Sequence, residues 1–381
     1  MKKMDVLLIT SIHPPFDTRI YHKMFLSIKN AGFNAKILLP NQSDLAISNQ
    51  DFLSVKGFKR KSLRTLNNFL LLIRCFSIRP KLVIFFDPDL LPFMIFLKLF
   101  SSSSVIYDNH EDYAGYFMIK ESIPNWLKKV VRIFYLFFLS LGRRIFDYIF
   151  YADQFTMGDT FKKSNQIVIY NFPIIEDFPT IEKKYDLIYP GSIDLAVCQR
   201  LLKIMEALDS EAVREIKFLL IGRDVNAANR SLIEEKKKTL KKVHIEFMED
   251  LSYELVQTKI SESRIGLVPL PDVEKFRKNI PTKIFEYMMH NIPVLGSDLS
   301  PISYFLNETE GNYCIKEGGY SYAYCEKIIH ILENYSIFSE MAKRNYLILK
   351  EKWNWEKSEE SKLLFLISNL IGDRDKDFIS L

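Results

Sequence analysis

Residues 279–298 read Asn-Ile-Pro-Thr-Lys-Ile-Phe-Glu-Tyr-Met-Met-His-Asn-Ile-Pro-Val-Leu-Gly-Ser-Asp. This is one complete unit of loop, helix, turn and strand. Pro281 suits a first helical turn, where a fixed φ helps and no N–H donor is needed. The spacing predicts a helix over 282–290 and an apolar strand over 293–296 that runs into Ser297 and Asp298. Backbone N–H groups near Thr282, with Lys283 beside them, make a site for a phosphate. Glu286 lies one turn beyond Thr282 and so on the same face. Its carboxylate can accept two hydrogen bonds from ribose hydroxyls. The plainer alternative is a capped surface helix with a Lys–Glu pair, but the buried strand and tight turn that follow favour a binding site.

Outward from this unit the same rhythm repeats. On the amino-terminal side, strands are expected at 186–189 (ending at Gly191), 216–221 (ending at Gly222), 243–247 and 265–268, with a helix running to 208. Residues 171–179 carry two prolines and no periodicity, and read as a linker. Before it, strands at 6–10, 35–39, 82–86, 105–107 and 166–170 alternate with helices at 17–31, 63–77, 90–100 and 126–147. Strands alternating with helices predict parallel sheets covered on both faces. The length of 381 residues fits two such units in tandem, and a cleft between them is the default ligand site.

Composition narrows the chemistry. Only 13 glycines are present and none forms a GxG pair, so the dinucleotide fingerprint and the P-loop are both missing. The four cysteines, Cys75, Cys198, Cys314 and Cys325, show no metal spacing and read as free thiols in a reducing compartment. The net charge of +5 is modest for a nucleic-acid binder, and no recognition module is legible. The opening apolar run is short, a first strand rather than a leader. No 18-residue apolar stretch predicts a membrane span.

Several strand ends carry polar residues. His110 and Glu111 follow the strand at 105–107, where a side chain points into the crevice of an open sheet; the alternative for His110 is a cap on the next helix. Asp17 is a good N-cap, and Arg19 follows it, facing the crevice if the helical register holds. His13 lies in the same loop. Asp87-Pro88-Asp89 ends a strand with the Asp-x-Asp pattern that elsewhere binds a divalent cation between carboxylates and a diphosphate. The restart of strand–helix alternation after residue 185 argues against that reading, and no metal is expected. Arg223 can pair with phosphate oxygens, or with its neighbour Asp224. The segment 126–144 interleaves Lys128, Lys129, Arg132, Arg143 and Arg144 with aromatic residues. It reads either as an interfacial helix at an anionic membrane or as a helix buried between layers.

The stretch "NIPTKIFEYMMHNIPVLGSDLSPI" at 279–302 resembles the donor-binding segment of family 4 glycosyltransferases, retaining enzymes of the GT-B architecture that use nucleotide sugars. The likeness continues, in order, through "HPPFDTRIYHKMFLSIKNAGF" at 13–33, "FFDPDLLP" at 85–92 and "VIYDNHEDY" at 105–113. It goes on in "VIYNFP" at 168–173, "YPGSID" at 189–194, "LLIGRD" at 219–224 and "EKWNWEKSEESKLLFLISNL" at 351–370. It is strongest toward the group that builds bacterial surface polysaccharides.

The resemblance implies a GT-B fold: two Rossmann-like, doubly wound α/β domains facing a cleft. Residues 1–170, joined by a carboxyl-terminal helix over 355–381, would form the acceptor side, and 171–354 the donor side. It implies transfer of a sugar from a nucleoside-diphosphate sugar to a glycan hydroxyl, with retention of configuration. The acceptor would be a lipid-linked precursor of capsule, O-antigen or exopolysaccharide. No cofactor is implied, and the place of work is cytoplasmic, at the inner membrane face. His110, Lys283 and Glu286 take the catalytic roles, with Gly191, Arg200, Arg223, Thr282 and Ser297 beside Lys283 and Glu286 at the donor. His13, Asp17, Arg19 and Glu111 fall on the acceptor side.

The pattern departs from the family at three places, the first being Pro14-Pro15-Phe16 where many first loops carry Gly-Gly. Lys278 stands where many members carry a first glutamate, and Arg200 is out of register with the usual basic residue after the first donor-domain strand. Two other readings stay open on that account: a sugar-nucleotide epimerase of the same architecture, and a non-catalytic subunit that supports a partner transferase.

Overall fold

The computed structural model describes residues 4–40, 49–58, 60, 63–120, 123–157, 164–179, 181–223 and 225–372. The chain divides into two units, Met1–Asn171 with Trp355–Leu381, and Phe172–Asn354.

The first unit is built on seven parallel strands in the order β3-β2-β1-β4-β5-β6-β7. They are β1 (Val6–Ile9), β2 (Ala35–Pro40), β3 (Phe52–Val55), β4 (Leu82–Phe85), β5 (Ser104–Asn109), β6 (Tyr148–Tyr151) and β7 (Gln166–Val168). A parallel strand is covered on both faces, which is why β1 and β4 are uninterrupted apolar runs with every residue buried. Alternate residues Leu7, Ile9, Val83, Phe85, Val105 and Tyr107 form one core with Leu71, Leu91, Met94 and Leu139 of the covering helices. The short strand β6 directly follows the helix Asn125–Ile145. Its sequence Tyr-Ile-Phe-Tyr is too brief to separate from that helix by periodicity.

The first helix departs from α geometry. Residues Thr18–Phe25 are wound as a π-helix, with the His22 N–H reaching the Asp17 carbonyl at 3.4 Å. The chain end returns to this unit. Trp355 is buried and donates through Nε1 to Ser27 Oγ at 2.9 Å, and the Tyr170 N–H donates to Glu359 Oε2 at 3.0 Å.

The second unit has six parallel strands in the order β10-β9-β8-β11-β12-β13. They are β8 (Tyr185–Ser192), β9 (Ile216–Arg223), β10 (Val243–Glu249), β11 (Ser263–Val268), β12 (Val294–Ser297) and β13 (Tyr313–Ile315). In both sheets the strand order reverses beside the first strand, between β1 and β4 and between β8 and β11. Crevices for ligands open at such switch points, beyond the carboxyl ends of the strands.

Helix Lys283–Met289 is seated against β11 at Gly266. A Cβ there would lie 2.3 Å from the Tyr287 ring, so only glycine admits this approach. The Tyr287 hydroxyl then donates to the Leu267 carbonyl at 3.0 Å. Phe285, on the same buried face, packs edge-on against Phe172 and Phe305. These contacts fix the rotation of the helix and leave Lys283 and Glu286 on its open side.

Candidate active site

The second unit carries a pocket of about 250 Å³ at the carboxyl ends of β8 and β9. Five of the residues singled out in the sequence line it: Gly191, Arg223, Thr282, Lys283 and Glu286. Gly191 has φ +133°, a backbone conformation that disfavours any side chain, and a Cβ there would lie 2.9 Å from Lys283 Nζ. The glycine therefore leaves room for the lysine head. Lys283 Nζ rests 3.7 Å from the centre of the buried Tyr189 ring, a cation–π contact. Among the described residues it has no hydrogen-bond or carboxylate partner within contact distance. Burial pulls the Lys283 ammonium down to about 7, opposed by the nearby Glu286 carboxylate. Thr282 Oγ1 donates to Glu286 Oε1 at 3.4 Å. Arg223 is exposed at the end of β9. A lysine whose value is depressed by burial in a concave site marks a candidate functional group. Asp224, the other candidate partner of Arg223, lies outside the described residues.

Two further donor-side candidates point elsewhere. Arg200 lies more than a turn inside the helix Leu195–Glu211, which Asp194 caps, and on its buried side. Its Nε donates to the Pro269 carbonyl at 3.1 Å and one terminal nitrogen to Glu317 at 2.6 Å, with the guanidinium 3.8 Å above Tyr320. Ser297 is buried at the end of β12, its hydroxyl 3.4 Å from that of Tyr324. Neither lines the pocket. Lys278, in the family's glutamate position, pairs with Glu274 at 2.9 Å. Residues that the sequence did not mark as site candidates also form the site. Tyr189 lies under the lysine, and Asp250 and Tyr253 line the rim. Asp250 sits just beyond β10 with φ +51°, a strand-end position that topology alone could have marked.

The switch point of the first unit holds a second polar cluster. Asp87 is fully buried beyond β4 and accepts from Thr10 Oγ1 at 2.8 Å and the Ser11 N–H at 2.5 Å. His13 Nδ1 lies 3.0 Å from the other Asp87 oxygen. These partners hold the Asp87 carboxyl below its usual range against the opposing effect of burial. Asp89 accepts from Ser11 and Asn68. The Asp-x-Asp pair thus ties β4 to the loop after β1. His110 stands beyond β5 with Nε2 3.2 Å from His13 Nε2 and 3.3 Å from the Tyr113 hydroxyl. The next helix is capped by Asp112 instead of His110. Glu111 is exposed beside them.

Arg19 corrects an expectation. It is buried, with two nitrogens on Asp108 at 2.8 and 2.9 Å and a third contact to the Ile169 carbonyl. Its guanidinium is held by these contacts inside the unit. Asp17 accepts from the Arg19 and Ile20 N–H groups, as a cap does.

Three neighbouring helices of this unit share an apolar outer face. Helix Leu91–Phe100 packs against both Arg64–Ile78 and Asn125–Ile145. Trp126, Ile133, Phe134 and Phe137 are exposed on the last of these, 77% in the case of Trp126. Phe69, Phe96 and Phe100 are exposed on the other two. Burial between layers is therefore not the state of helix 125–145, whose only buried residues are Tyr135, Leu139 and Gly142. No helix among the described residues is long and apolar enough to cross a membrane.

Comparison with known proteins agrees with this architecture. Residues 184–334 match the family model described as glycosyl transferases group 1. No curated protein sequence matches the chain significantly. Among solved structures, sucrose-phosphate synthase from Thermosynechococcus elongatus superposes with a TM-score of 0.74 at 14% identity, over 97% of this chain and 100% of that one. A glycosyltransferase from Rickettsia africae gives 0.69 at 11% identity, over 97% and 99%. Anabaena HepE, crystallised with UDP-glucose, gives 0.64 at 11% identity, over 98% and 99%. The chain has the GT-B fold, and residues 184–334 of its second unit are similar to the group 1 glycosyl transferases.

Proposed function

We propose, taking that similarity and that fold as premises, that the protein is a retaining transferase. It would move a sugar from a nucleoside-diphosphate sugar to a hydroxyl of a glycan. The observation that carries this reading is the Gly191–Lys283 arrangement, a lysine head with no hydrogen-bond partner among the described residues, admitted by a glycine and flanked by Arg223 and Glu286. Lys283 and Arg223 would hold the diphosphate and neutralise the charge that develops as it leaves. Glu286 would accept from the ribose hydroxyls. With both cations supplied by the chain, the reading requires no bound metal or cofactor. No dedicated nucleophile is assigned, so the acceptor oxygen would attack the face that the phosphate leaves, with a phosphate oxygen taking its proton. Catalysis then rests on placement and on stabilising the leaving group. His110, from the first unit, would contact the sugar, with His13 and Glu111 on the acceptor side. Asp17 and Arg19 would serve that side only indirectly, through the helix they anchor.

The test is transfer of labelled sugar from a panel of nucleotide sugars to lipid extracts and free glycans. A sugar product that keeps the donor's anomeric configuration supports the reading. Isomerised donor without acceptor would favour an epimerase. Nucleotide binding without turnover on any acceptor would favour a non-catalytic subunit. Glu286→Ala is expected to weaken binding of the accepted nucleoside diphosphate roughly tenfold or more, since two hydrogen bonds to a charged acceptor are lost. Unchanged affinity in a calorimetric titration would remove the ribose role.

The acceptor is proposed to be lipid-linked, reached from an anionic membrane surface at the cytoplasmic face. The exposed aromatic stripe of helix 125–145, bordered by Lys129 and Arg132, supports this: an apolar face with basic flanks fits an interface. Replacing Phe134 and Phe137 with serine is expected to reduce binding to phosphatidylglycerol vesicles about tenfold per ring, with nucleotide affinity unchanged. Equal sedimentation of wild type and variant with vesicles would refute the membrane role.

A further inference from the structure

The first unit carries an apolar groove that none of the roles above uses. Its volume is about 420 Å³, and Leu63, Thr65, Leu66, Phe69 and Phe93 line it. The first four come from the start of helix 64–78 and the last from the first turn of helix 91–100. Single exposed apolar residues are ordinary, but contiguous ones mark a binding surface. Phe69 belongs both to the groove and to the outer face of these helices. On that face Phe96 packs against Phe76 and Phe100, with ring centres 6.1 and 4.4 Å apart. The other end of the groove reaches the crevice of the sheet. Arg64 and Asn68, one turn apart, both meet Asp89 beyond β4, at 3.4 and 3.1 Å. Ser11 Oγ donates to the same carboxylate at 3.0 Å, and Phe93 lies one turn after it. The groove therefore runs from the loop that carries His13 to a surface of exposed rings.

Charge selects the occupant. Residues 52–86 hold eight Lys and Arg and no Asp or Glu. At the chain's average of 47 acidic residues in 381, about four would be expected there. Helices 91–100 and 125–145 are also free of acidic residues. Asn67 ties the basic segment to the groove: its amide accepts from the Phe58 N–H at 2.8 Å and donates to the Phe58 carbonyl at 3.1 Å. Lys56 and Arg60 stand exposed on either side of that clamp. Asp89, the acid at the mouth, is engaged by Arg64, Asn68 and Ser11. An apolar slot with a basic border complements an anionic head joined to a hydrocarbon tail. A free glycan would gain nothing from the slot, and a neutral lipid nothing from the border. We infer that the groove seats the tail of a phosphate-linked lipid acceptor, taking the lipid-linked acceptor of the proposed function as premise. The tail lies along Leu66 and Phe69, Lys56 and Arg60 attract the phosphate, and the head faces the crevice.

The test is equilibrium binding of farnesyl phosphate to the full chain, below the micelle concentration, with farnesol and inorganic phosphate as its two halves. Farnesyl phosphate is expected to bind at least tenfold more tightly than either half. Leu66→Asn with Phe69→Ser lowers that affinity about tenfold or more. These side chains are 41% and 49% exposed, so the fold does not rest on them. Lys56→Glu with Arg60→Glu lowers it several-fold at low salt, where exposed charges are unscreened, and leaves farnesol unaffected. Phe134→Ser with Phe137→Ser, on the outer face, leaves it unchanged. A diazirine-bearing farnesyl phosphate attaches to residues 63–69 and to Phe93. Absence of binding, attachment confined to residues 126–137, or an affinity that the groove substitutions do not move would overturn the inference. Neither donor nor turnover is needed, so the two readings fail separately. A chain that binds farnesyl phosphate in the groove but transfers no sugar keeps this site and loses the transferase. A chain that transfers sugar with an unresponsive groove keeps the transferase and loses this site.

Discussion

Arg19→Ala is expected to destabilise the first unit by about 3–5 kcal/mol, because it leaves the Asp108 carboxyl group at 0% exposure without its partner. The pair is bidentate at 2.8 and 2.9 Å and ties the first helix to β5. The same guanidinium donates to the Ile169 carbonyl beyond β7, so the loss loosens three elements. For a unit of this size the shift in midpoint is on the order of 6–20 °C. Thermal unfolding followed by tryptophan fluorescence reads it. The double change Arg19→Met with Asp108→Leu should recover most of the loss, since apolar replacement of a buried ion pair is often neutral. A shift below about 2 °C for Arg19→Ala would show that Asp108 finds water or another donor, and that the pair is not structural.

Lys283→Met has the opposite effect on stability and a larger effect on binding. Methionine keeps an apolar stem over Tyr189 and removes the cost of desolvating an ammonium. A gain of about 1–2 kcal/mol is expected after discounting for the partial exposure of the side chain. Binding of the nucleoside diphosphate should fall roughly 10- to 150-fold, the worth of one charge-assisted contact of about 1.5–3 kcal/mol.

The pH dependence follows from the same group. Its value in the fold, about 7, is depressed from an ordinary 10.5. Between these the unfolded chain holds a proton that the folded chain has lost, so this group's contribution to stability rises with pH across that window. Binding a diphosphate restores the charge, so complex formation takes up a proton above pH 7. Affinity should then fall as pH climbs from 7 toward 9, by up to about tenfold per unit. Calorimetry in two buffers of different ionisation enthalpy measures the uptake. A pH-independent affinity that is equal in Lys283→Met would remove the lysine from the site.

Much of this molecule is readable from its sequence because parallel strands must be buried on both faces. Runs such as Val6–Ile9 and Leu82–Phe85 then stand out as continuous apolar segments between helices. The pocket of the second unit was legible for a related reason. Gly191, Arg223 and Lys283 all lie at strand ends or at the helix that follows one, where local spacing determines position. What escaped was set by tertiary contact. Arg19 turns inward to pair with Asp108, 89 positions away, which no local residue pattern announces. Arg200 follows the first donor-domain strand in sequence, but the helix capped at Asp194 places it on a buried face. The facing of His13 and His110 joins residues 97 positions apart through the order of β1, β4 and β5. Tyr189 was read as one more strand residue. Its importance appears only when helix 283–289 is seated on Gly266 and lowers a lysine onto its ring.

The most direct test of the central claim is thermal stabilisation of the full chain by UDP, GDP and CDP in the presence of EDTA. A ligand at about 100 times its dissociation constant adds roughly 2.7 kcal/mol to the state that binds it. The account predicts that one of the three raises the melting temperature by several degrees, that chelator does not diminish the shift, and that Lys283→Met abolishes most of it. No shift with any nucleoside diphosphate, or a shift that survives unchanged in Lys283→Met, would contradict it.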